Sequence, residues 1–325
     1  IGWDEILEGG LAPSATVMSW RGEDGGIKAA NMGHDVIMTP GSGGLYIDHY
    51  QGDSKIEPVA ICCYASLEKV YSYNPIPSAI APDKRHHIKG AQANLWAEYL
   101  YTTDIMQYRA FPRVIALAEA TWTPQDRKDY KNFERRLNGA YIRLDQHKVN
   151  YHIPLPEQPL PGSKASASLN FVAFTDTTSL TLQTSRPITI VYTTDGSEPT
   201  AESSRYTAPI KVSESQVVKV ASVLPSGRLS RVRAITFDKQ SYSPAVSLSS
   251  PTPGLCTQTS IGDYYRASEL SAVTNWVEGV AKTTQELRPD RVTNHMDEIK
   301  RKAVIGEGYI KIPEDGCYVF STNLD

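Results

Sequence analysis

The chain has 325 residues, which is enough for two or three domains of about 100–200 residues each. Hydrophobic residues make up 40% and charged residues 21%, the composition of a folded globular protein rather than a disordered one. The net charge of −3 gives no electrostatic reason to expect nucleic acid or an anionic membrane as a partner. No apolar run approaches the roughly 20 residues of a membrane helix, so we expect no membrane span in this chain.

Residues 1–153 alternate short apolar strands with helical stretches. The strands are predicted at 1–6, 15–20, 35–40 and 88–96, and the helices at 25–33, 108–122 and 127–149, with a further loop and helix within 49–87. Strands that are apolar on both faces and alternate with helices are typical of a parallel sheet covered by helices. Because a (β/α)8 barrel has eight strands over about 250 residues, this segment predicts the second half of a TIM-type α/β barrel.

The composition changes twice after this segment. Residues 154–164, PLPEQPLPGSK, are rich in proline and glycine and predict a linker. Residues 165–249 show β-branched residues in period-2 patterns between turn signals, which predicts a small β-sandwich. SPTPG opens residues 250–325, where GYIKIPEDGCYVF predicts two strands around a turn in part of a third β-domain.

The ends of the predicted barrel strands carry aromatic and acidic residues. Three of the chain's five tryptophans lie there, together with one tyrosine and two acids: Trp3, Trp20, Tyr46, Asp48, Trp96 and Glu98. The carboxyl ends of barrel strands face one mouth, where sites form on such folds. Indole faces pack against the apolar faces of a sugar ring, and carboxylates accept hydrogen bonds from hydroxyls. The pattern therefore indicates a sugar pocket.

Cysteines and histidines give no metal signature. No cysteine belongs to a CxxC pair, so we expect no zinc site. Adjacent Cys62 and Cys63 lie in an apolar stretch and are predicted to be two buried thiols, whereas Cys256 and Cys317 are left open between free thiols and a pair. The histidines at 34, 49, 86 and 87 are predicted to be loop or surface residues.

Five charged residues near these strand ends have structural interpretations. Asp4 and Glu5 are expected to cap the following helix or to pair with an arginine. Arg21 and Glu23 are expected to form an ion pair beside Trp20. Arg113 is expected to tie its helix to the barrel.

GWDEI, VMSWRG, YIDHY and GAQANLWAEY, followed by YRAFPRVIALAEATW, together resemble the β-N-acetylhexosaminidases of glycoside hydrolase family 20. The resemblance covers residues 1 to about 150, with five motifs in the family's order, and it implies strands five to eight of that family's barrel. It implies exo-hydrolysis of terminal β-linked N-acetylglucosamine or N-acetylgalactosamine, without metal or organic cofactor.

The family's mechanism is retaining and substrate-assisted, so that the sugar's own 2-acetamido oxygen attacks the anomeric carbon. Carried over by motif, the resemblance implies that Trp3, Trp20 and Trp96 wall the acetamido pocket and the sugar ring. Tyr46 would be the catalytic residue that donates to the acetamido oxygen, and Asp48 and Glu98 would hold the 4- and 6-hydroxyls. No metal ligand or cofactor-binding residue is implied.

One departure from the family pattern bears on activity. The family's general acid lies in a His-x-Gly-Gly-Asp-Glu motif on the fourth strand, and this motif does not occur in the chain. We therefore expect a fragment that is inactive alone, with the acid upstream of Ile1.

The two later segments also resemble known modules. ITIVYTTDGSEPT resembles the immunoglobulin-like C-terminal domain of bacterial hexosaminidases, and residues 250–325 resemble the start of the carbohydrate-binding β-sandwich found in anthrax protective antigen. The resemblance implies a glycan substrate and a location outside the cytoplasm, in a bacterial periplasm or at a cell surface. A non-catalytic carbohydrate-binding or cell-surface adhesion protein is the alternative, because the acid motif is absent.

Overall fold

The computed structural model describes residues 1–159, 170–264, 266–283, 285–287, 291–295 and 298–318. Within this part of the chain there are two compact units, Ile1–Gln240 and Ser241–Asp325. The predicted linker is described only as far as residue 159. The prediction of separate domains at 1–153 and 165–249 stays a prediction, and the first compact unit contains the first segment together with the second one as far as Gln240.

A parallel sheet of four strands forms the first part of the first unit. The strands are β1 (Gly2–Trp3), β2 (Thr16–Ser19), β3 (Asp35–Met38) and β4 (Ile88–Ala91), and they are paired in that order. All three pairings are parallel. The prediction of a parallel sheet is thus confirmed, and such a sheet suits part of an α/β barrel. The assignment to strands five to eight stays a prediction.

Helices cover this sheet. They are α1 (Asp24–Asn31), α2 (Leu67–Ser72), α3 (Thr103–Ala110), α4 (Arg113–Trp122) and α5 (Tyr130–Gln146). Ser66, Thr102 and Asp129 each accept a backbone N–H in the first turn of a helix, which fixes where α2, α3 and α5 begin. One buried apolar core joins the sheet to α1, α2, α4 and α5, with Val17, Val36 and Met38 from the strands fully buried.

The predicted single helix over 108–122 is wrong. The structure has two helices separated at Phe111 and Pro112, with Phe111 in an extended conformation. Proline has no N–H for a helical hydrogen bond, and it disfavours the α conformation at the residue before it. The first predicted strand is also shorter than expected, because Asp4–Leu7 forms a 3-10 turn.

The second part of the first unit is a pair of β-sheets around one core. The strands are β5 (Phe171–Phe174), β6 (Thr178–Leu180), β7 (Thr189–Thr193), β8 (Ser204–Arg205), β9 (Ile210–Val212), β10 (Gln216–Val223) and β11 (Arg233–Lys239). Five of them pair in the order β5-β11-β10-β7-β8, and β6 pairs with β9. Alternating buried residues of β10 and β11, such as Val218, Val220 and Ile235, fill the core between the sheets. An immunoglobulin-like topology stays a prediction.

The second unit contains an antiparallel sheet. Its strands are β12 (Leu255–Gly262), β13 (Val277–Ala281), β14 (Arg291–His295) and β15 (Glu298–Glu307), in the order β13-β12-β15-β14. The predicted strand at GYIKI is wrong: residues 308–312 are not in a strand, and Tyr309, Ile310 and Ile312 are exposed. Most of the strand predicted after the turn lies outside the described residues.

Candidate functional site

The strand ends of the parallel sheet open into one cavity of about 820 Å³. All six predicted site residues line it: Trp3, Trp20, Tyr46, Asp48, Trp96 and Glu98. Since parallel strands end at the same edge, residues far apart in the chain meet there. The volume lies within the range of about 300–1,000 Å³ that is usual for small-molecule sites. The individual roles of the six residues stay predictions.

Two tryptophans form an aromatic wall. Trp3 ends β1, and its ring centroid lies 5.8 Å from that of Trp96 with the planes tilted by 49°. Trp96 is 42% exposed, so part of its indole is open to the cavity. An exposed indole beside a second one offers a flat apolar surface, which is the kind of surface that packs against a sugar ring.

Trp20 is held in place by two acidic neighbours. Its indole N–H donates to both carboxylate oxygens of Glu5 at 3.0 Å. Its backbone N–H donates to Asp4 at 3.2 Å, and Asp4 is only 2% exposed. Asp4 also forms an ion pair with Arg21 at 2.8 Å, which is one of the two alternatives predicted for Asp4. The expected pair of Arg21 with Glu23 is wrong, because Arg21 turns to Asp4 and Glu8 instead.

Tyr46 is positioned by a glycine turn and by Asn94. The 3-10 turn Gly41–Gly43 ends at Gly44, whose φ of +83° favours glycine. Tyr46 then forms a parallel bridge with Asn94, whose side chain donates to Thr39 at 2.9 Å. Burial raises the pKa of Tyr46, and hydrogen bonding to Asn94 only partly offsets this. The phenol is therefore protonated near neutral pH and can donate a hydrogen bond.

Asp48 carries a buried oxygen without a partner. Its residue is 6% exposed, and its Oδ1 has no hydrogen-bond partner among the described residues. Burial raises the pKa of Asp48, and backbone hydrogen bonds oppose the rise only in part. A buried acceptor of this kind is costly unless something fills it. Asp48 is thus suited to accept a hydrogen bond from a bound hydroxyl.

Glu98 is exposed and lies in the 3-10 turn Ala97–Tyr99. The Asn94 N–H donates to the Leu45 oxygen at 2.8 Å. The chain leaves the sheet after this hydrogen bond and before Glu98. The carboxylate of Glu98 still lines the cavity.

The lining of the cavity also contains residues that the sequence analysis did not assign to the site. They include His49, Ile61, Cys62, Cys63, Tyr64 and Lys69. Cys62 and Cys63 form a disulfide and are exposed, so the prediction of two buried thiols is wrong. The segment forms neither helix nor strand around them and runs along the surface, where Ile61 is 52% exposed. The adjacency of Cys62 and Cys63 was the signal in the sequence that could have indicated this disulfide.

His49 is also buried, contrary to its prediction as a loop or surface residue. It is 8% exposed, and its ring meets the edge of the Tyr46 ring with centroids 5.5 Å apart. Its Nε2 lies 4.0 Å from Sγ of Cys62. Burial lowers the pKa of His49, so the imidazole is neutral near pH 7. His49 therefore lies close both to Tyr46, a predicted sugar-binding residue, and to the disulfide.

Buried arginines lie beneath this part of the lining. Arg113, fully buried, donates to the backbone oxygens of Ala65 at 2.8 Å and His49 at 3.0 Å. Arg113 therefore ties α4 to the loops around the cavity, as predicted. Arg109, also fully buried, pairs with Glu57 at 2.6 Å. Both charges are satisfied inside the protein, as buried charges must be.

Family comparisons agree with this architecture. Residues 1–125 match the glycosyl hydrolase family 20 catalytic domain, and residues 172–234 match the chitobiase/β-hexosaminidase C-terminal domain. A β-hexosaminidase of Porphyromonas gingivalis is 53% identical over 324 residues, which are 99% of this chain and 41% of that protein. A β-hexosaminidase of Vibrio furnissii is 36% identical over 121 residues, 36% of this chain and 20% of its own length.

Solved structures of the same family are also similar. The GH20 exo β-N-acetylglucosaminidase from Vibrio harveyi in complex with N-acetylglucosamine is 32% identical, with a TM-score of 0.42 over 47% of this chain and 24% of that one. The chain thus spans less than half the length of these relatives. The chain is thus similar along 99% of its length to a β-hexosaminidase, and its residues 1–125 match the catalytic domain of glycosyl hydrolase family 20.

Proposed function

We propose that this chain forms part of a β-N-acetylhexosaminidase that removes terminal β-linked N-acetylglucosamine or N-acetylgalactosamine from glycans. The observation that carries the proposal is that all six motif residues line one cavity, although they come from four strand ends spread over nearly 100 residues. The 53% identity to the β-hexosaminidase of Porphyromonas gingivalis supports this substrate class.

The proposed reaction is retaining and substrate-assisted. The acetamido oxygen bonds to the anomeric carbon while the bond from that carbon to the glycosidic oxygen breaks, and a general acid protonates the leaving oxygen. Water then opens the oxazolinium ring and restores the acetamido group. The acetamido oxygen must be held about 3–3.5 Å from the carbon for this step.

Each of the six motif residues has a proposed task in that geometry. Trp3, Trp20 and Trp96 enclose the acetamido group and the ring. Protonated Tyr46 donates to the acetamido oxygen as negative charge leaves it, which orients the nucleophile. Asp48 and Glu98 accept hydrogen bonds from the 4- and 6-hydroxyls, and the unpartnered Oδ1 of Asp48 supports this role.

We further propose that the general acid is supplied by residues outside this sequence, since the His-x-Gly-Gly-Asp-Glu motif does not occur in its 325 residues. The same absence favours the alternative of a non-catalytic carbohydrate-binding or adhesion protein. The sequence that precedes Ile1 in the gene separates the two: an Asp-Glu pair in that motif supports the enzyme, and an unrelated domain supports the binder.

A location outside the cytoplasm is part of the proposal. The Cys62–Cys63 disulfide supports it, because disulfides persist in oxidising compartments. No helix among the described residues is long and apolar enough to cross a membrane.

The test is calorimetric binding of N-acetylglucosamine-thiazoline, a mimic of the oxazolinium ion, to the 325-residue chain, with aryl N-acetyl-β-glucosaminide hydrolysis assayed in parallel. We expect thiazoline binding without turnover. Glucose, which lacks the acetamido group, is the matched control ligand. Equal affinity for glucose and thiazoline would contradict the proposed pocket, and turnover blocked by thiazoline would contradict the proposed absence of the acid.

A further inference from the structure

The Cys62–Cys63 disulfide joins sequence neighbours on the wall of the cavity. Both cysteines are exposed, so a small reductant can reach them. The backbone around them is anchored: the Tyr50 N–H donates to the Cys63 oxygen at 3.2 Å, and the Ala65 N–H donates to the Tyr50 oxygen at 2.9 Å. Opening the disulfide would therefore leave two thiols held side by side rather than released into solvent.

His49 brings a third ligand atom to the same point. Its Nε2 and the two Sγ atoms all lie within 4.8 Å of one another, and this is the one such group of His, Cys, Asp and Glu found in the described part of the chain. In a tetrahedral zinc site, bond lengths of about 2.3 Å to sulfur and about 2.05 Å to nitrogen place the two ligand atoms about 3.6 Å apart. The 4.0 Å between Nε2 and Sγ of Cys62 needs only a small adjustment.

We propose that reduction of the Cys62–Cys63 disulfide creates a soft-metal site, with Cys62, Cys63 and His49 as ligands, in the wall of the cavity. A dithiol reductant supplies two electrons and two protons, the S–S bond breaks to give two thiols, and the reductant leaves as its own disulfide. Binding of Zn²⁺ or Cd²⁺ then displaces the two thiol protons. Thiolate and imidazole ligands select such metals over Mg²⁺ or Ca²⁺.

The ligand types suit a soft metal. Cysteine binds such a metal as thiolate and histidine as neutral imidazole, so metal binding releases protons. Three protein ligands leave a fourth position for water on the cavity side.

The proposal is independent of the glycosidase proposal, because it needs no sugar to bind. Its test uses the full chain with Cys256→Ser and Cys317→Ser, which removes the two exposed free thiols of the second unit. Thiol titration before and after reduction reports the disulfide. After the reductant is removed, Cd²⁺ is titrated and followed by the ultraviolet absorption of its bonds to thiolate.

We expect no thiol before reduction and two after it, with one Cd²⁺ bound per reduced chain and none by the oxidised chain. Cys62→Ser and Cys63→Ser, both at exposed positions, should abolish tight binding. His49→Gln should weaken it by at least the roughly 10- to 100-fold that loss of a supporting metal contact costs, and exposed His86→Gln should leave it unchanged.

Two results would overturn the proposal. One is Cd²⁺ binding of equal affinity in the oxidised and reduced chains. The other is binding that persists at full strength in the reduced Cys62→Ser variant. If His49→Gln unfolds the protein, as far-ultraviolet circular dichroism would reveal, the two cysteine variants still decide the question.

Discussion

Trp20 and Tyr46 face the same cavity, but each is held there by polar contacts rather than by packing alone. The Trp20 indole donates to Glu5, and the Tyr46 backbone bridges to Asn94. Such contacts restrict the orientation of a ring before any ligand arrives. Pre-ordered groups lose less conformational entropy on binding, which benefits affinity.

Replacing Tyr46 by phenylalanine tests the proposed hydrogen bond to the acetamido oxygen. The ring is kept, so only the donor is lost, and a hydrogen bond of this kind contributes about 0.5–1.5 kcal/mol. We expect thiazoline affinity to fall by about 3- to 10-fold, measured by calorimetry. Tyr101→Phe, at a tyrosine that is 74% exposed and does not line the cavity, is the control. Unchanged affinity in Tyr46→Phe would remove the proposed role.

The sequence was sufficient to predict the lining residues at strand ends but not those contributed by the loop at 49–64. Trp3, Trp20 and Trp96 follow or end apolar strands, and the parallel arrangement of strands makes their meeting predictable. His49 and the two cysteines belong to a loop whose path depends on contacts with α3 and α4. Nothing in the local pattern around 62–63 specifies those distant partners, so burial and exposure were both predicted wrongly there.

At the level of elements, the predicted bounds varied in accuracy, and the strands predicted at 1–6 and 88–96 are only Gly2–Trp3 and Ile88–Ala91 in the structure. The strands at 15–20 and 35–40 were found within a residue or two, because runs such as Val-Ile-Met are apolar on both faces. The helix over 108–122 was divided by Pro112, whose effect on local geometry was readable in the sequence. Residues 308–312 have the residue types of a strand, but within the described part of the chain they have no neighbouring strand to pair with.

The loop from His49 to Ala65 is stabilised by the buried carboxylate of Glu57. Burial alone would raise the pKa of Glu57, but hydrogen bonding and charge from His152, the Gln51 N–H and the charge of Arg109 lower it to about 2. Because the pKa is depressed in the folded state, the carboxylate stabilises the protein above the unfolded value of 4.5. That contribution is lost as the pH falls from 4.5 towards 2.

Glu57→Gln should therefore lower the free energy of unfolding by about 3–5 kcal/mol at pH 7, since it leaves Arg109 buried without its charge partner. It should also flatten the loss of stability between pH 4.5 and 2. Urea denaturation across this range measures both effects. Glu68→Gln, at an exposed position in α2, is the control. An unchanged pH dependence in Glu57→Gln would show that another group titrates there.

On the scale of the whole first unit, the barrel segment and the sandwich are joined by several specific contacts. Ser222 donates to the Pro154 oxygen at 2.6 Å, and Arg228 donates to Asn150 at 3.0 Å. Arg186 lies over the ring of Tyr141 at 3.7 Å. Leu224 of the sandwich side is part of the core of the barrel segment. The two segments therefore support each other rather than folding around separate cores alone.

Arg233 links the sandwich to the loop of the cavity wall. This residue of β11 is 1% exposed, pairs with Asp53 at 3.4 Å and donates to Asn170 at 2.7 Å. Removing it leaves Asp53 without its cation. In Arg233→Ala we expect amide hydrogen exchange in residues 49–57 to rise about ten-fold or more, which corresponds to a loss of about 1.4 kcal/mol or more of local stability.

Hydrogen exchange followed by mass spectrometry measures this effect peptide by peptide. Arg205→Ala, at an exposed arginine of β8, is the matched control and should leave residues 49–57 unchanged. Exchange that rises only within the sandwich in Arg233→Ala would show that the link does not stabilise the loop.

The Asp53–Arg233 pair also limits how this protein can be recombined. The two residues are 180 positions apart, on either side of the stretch at 154–164 where a crossover between two genes would otherwise be easiest. A hybrid that takes its barrel from one parent and its sandwich from another keeps the pair only if each parent contributes the matching charge. The loop that carries His49 and the disulfide therefore depends on a residue of the sandwich. A hybrid with a new sandwich requires redesign of Asp53 as well.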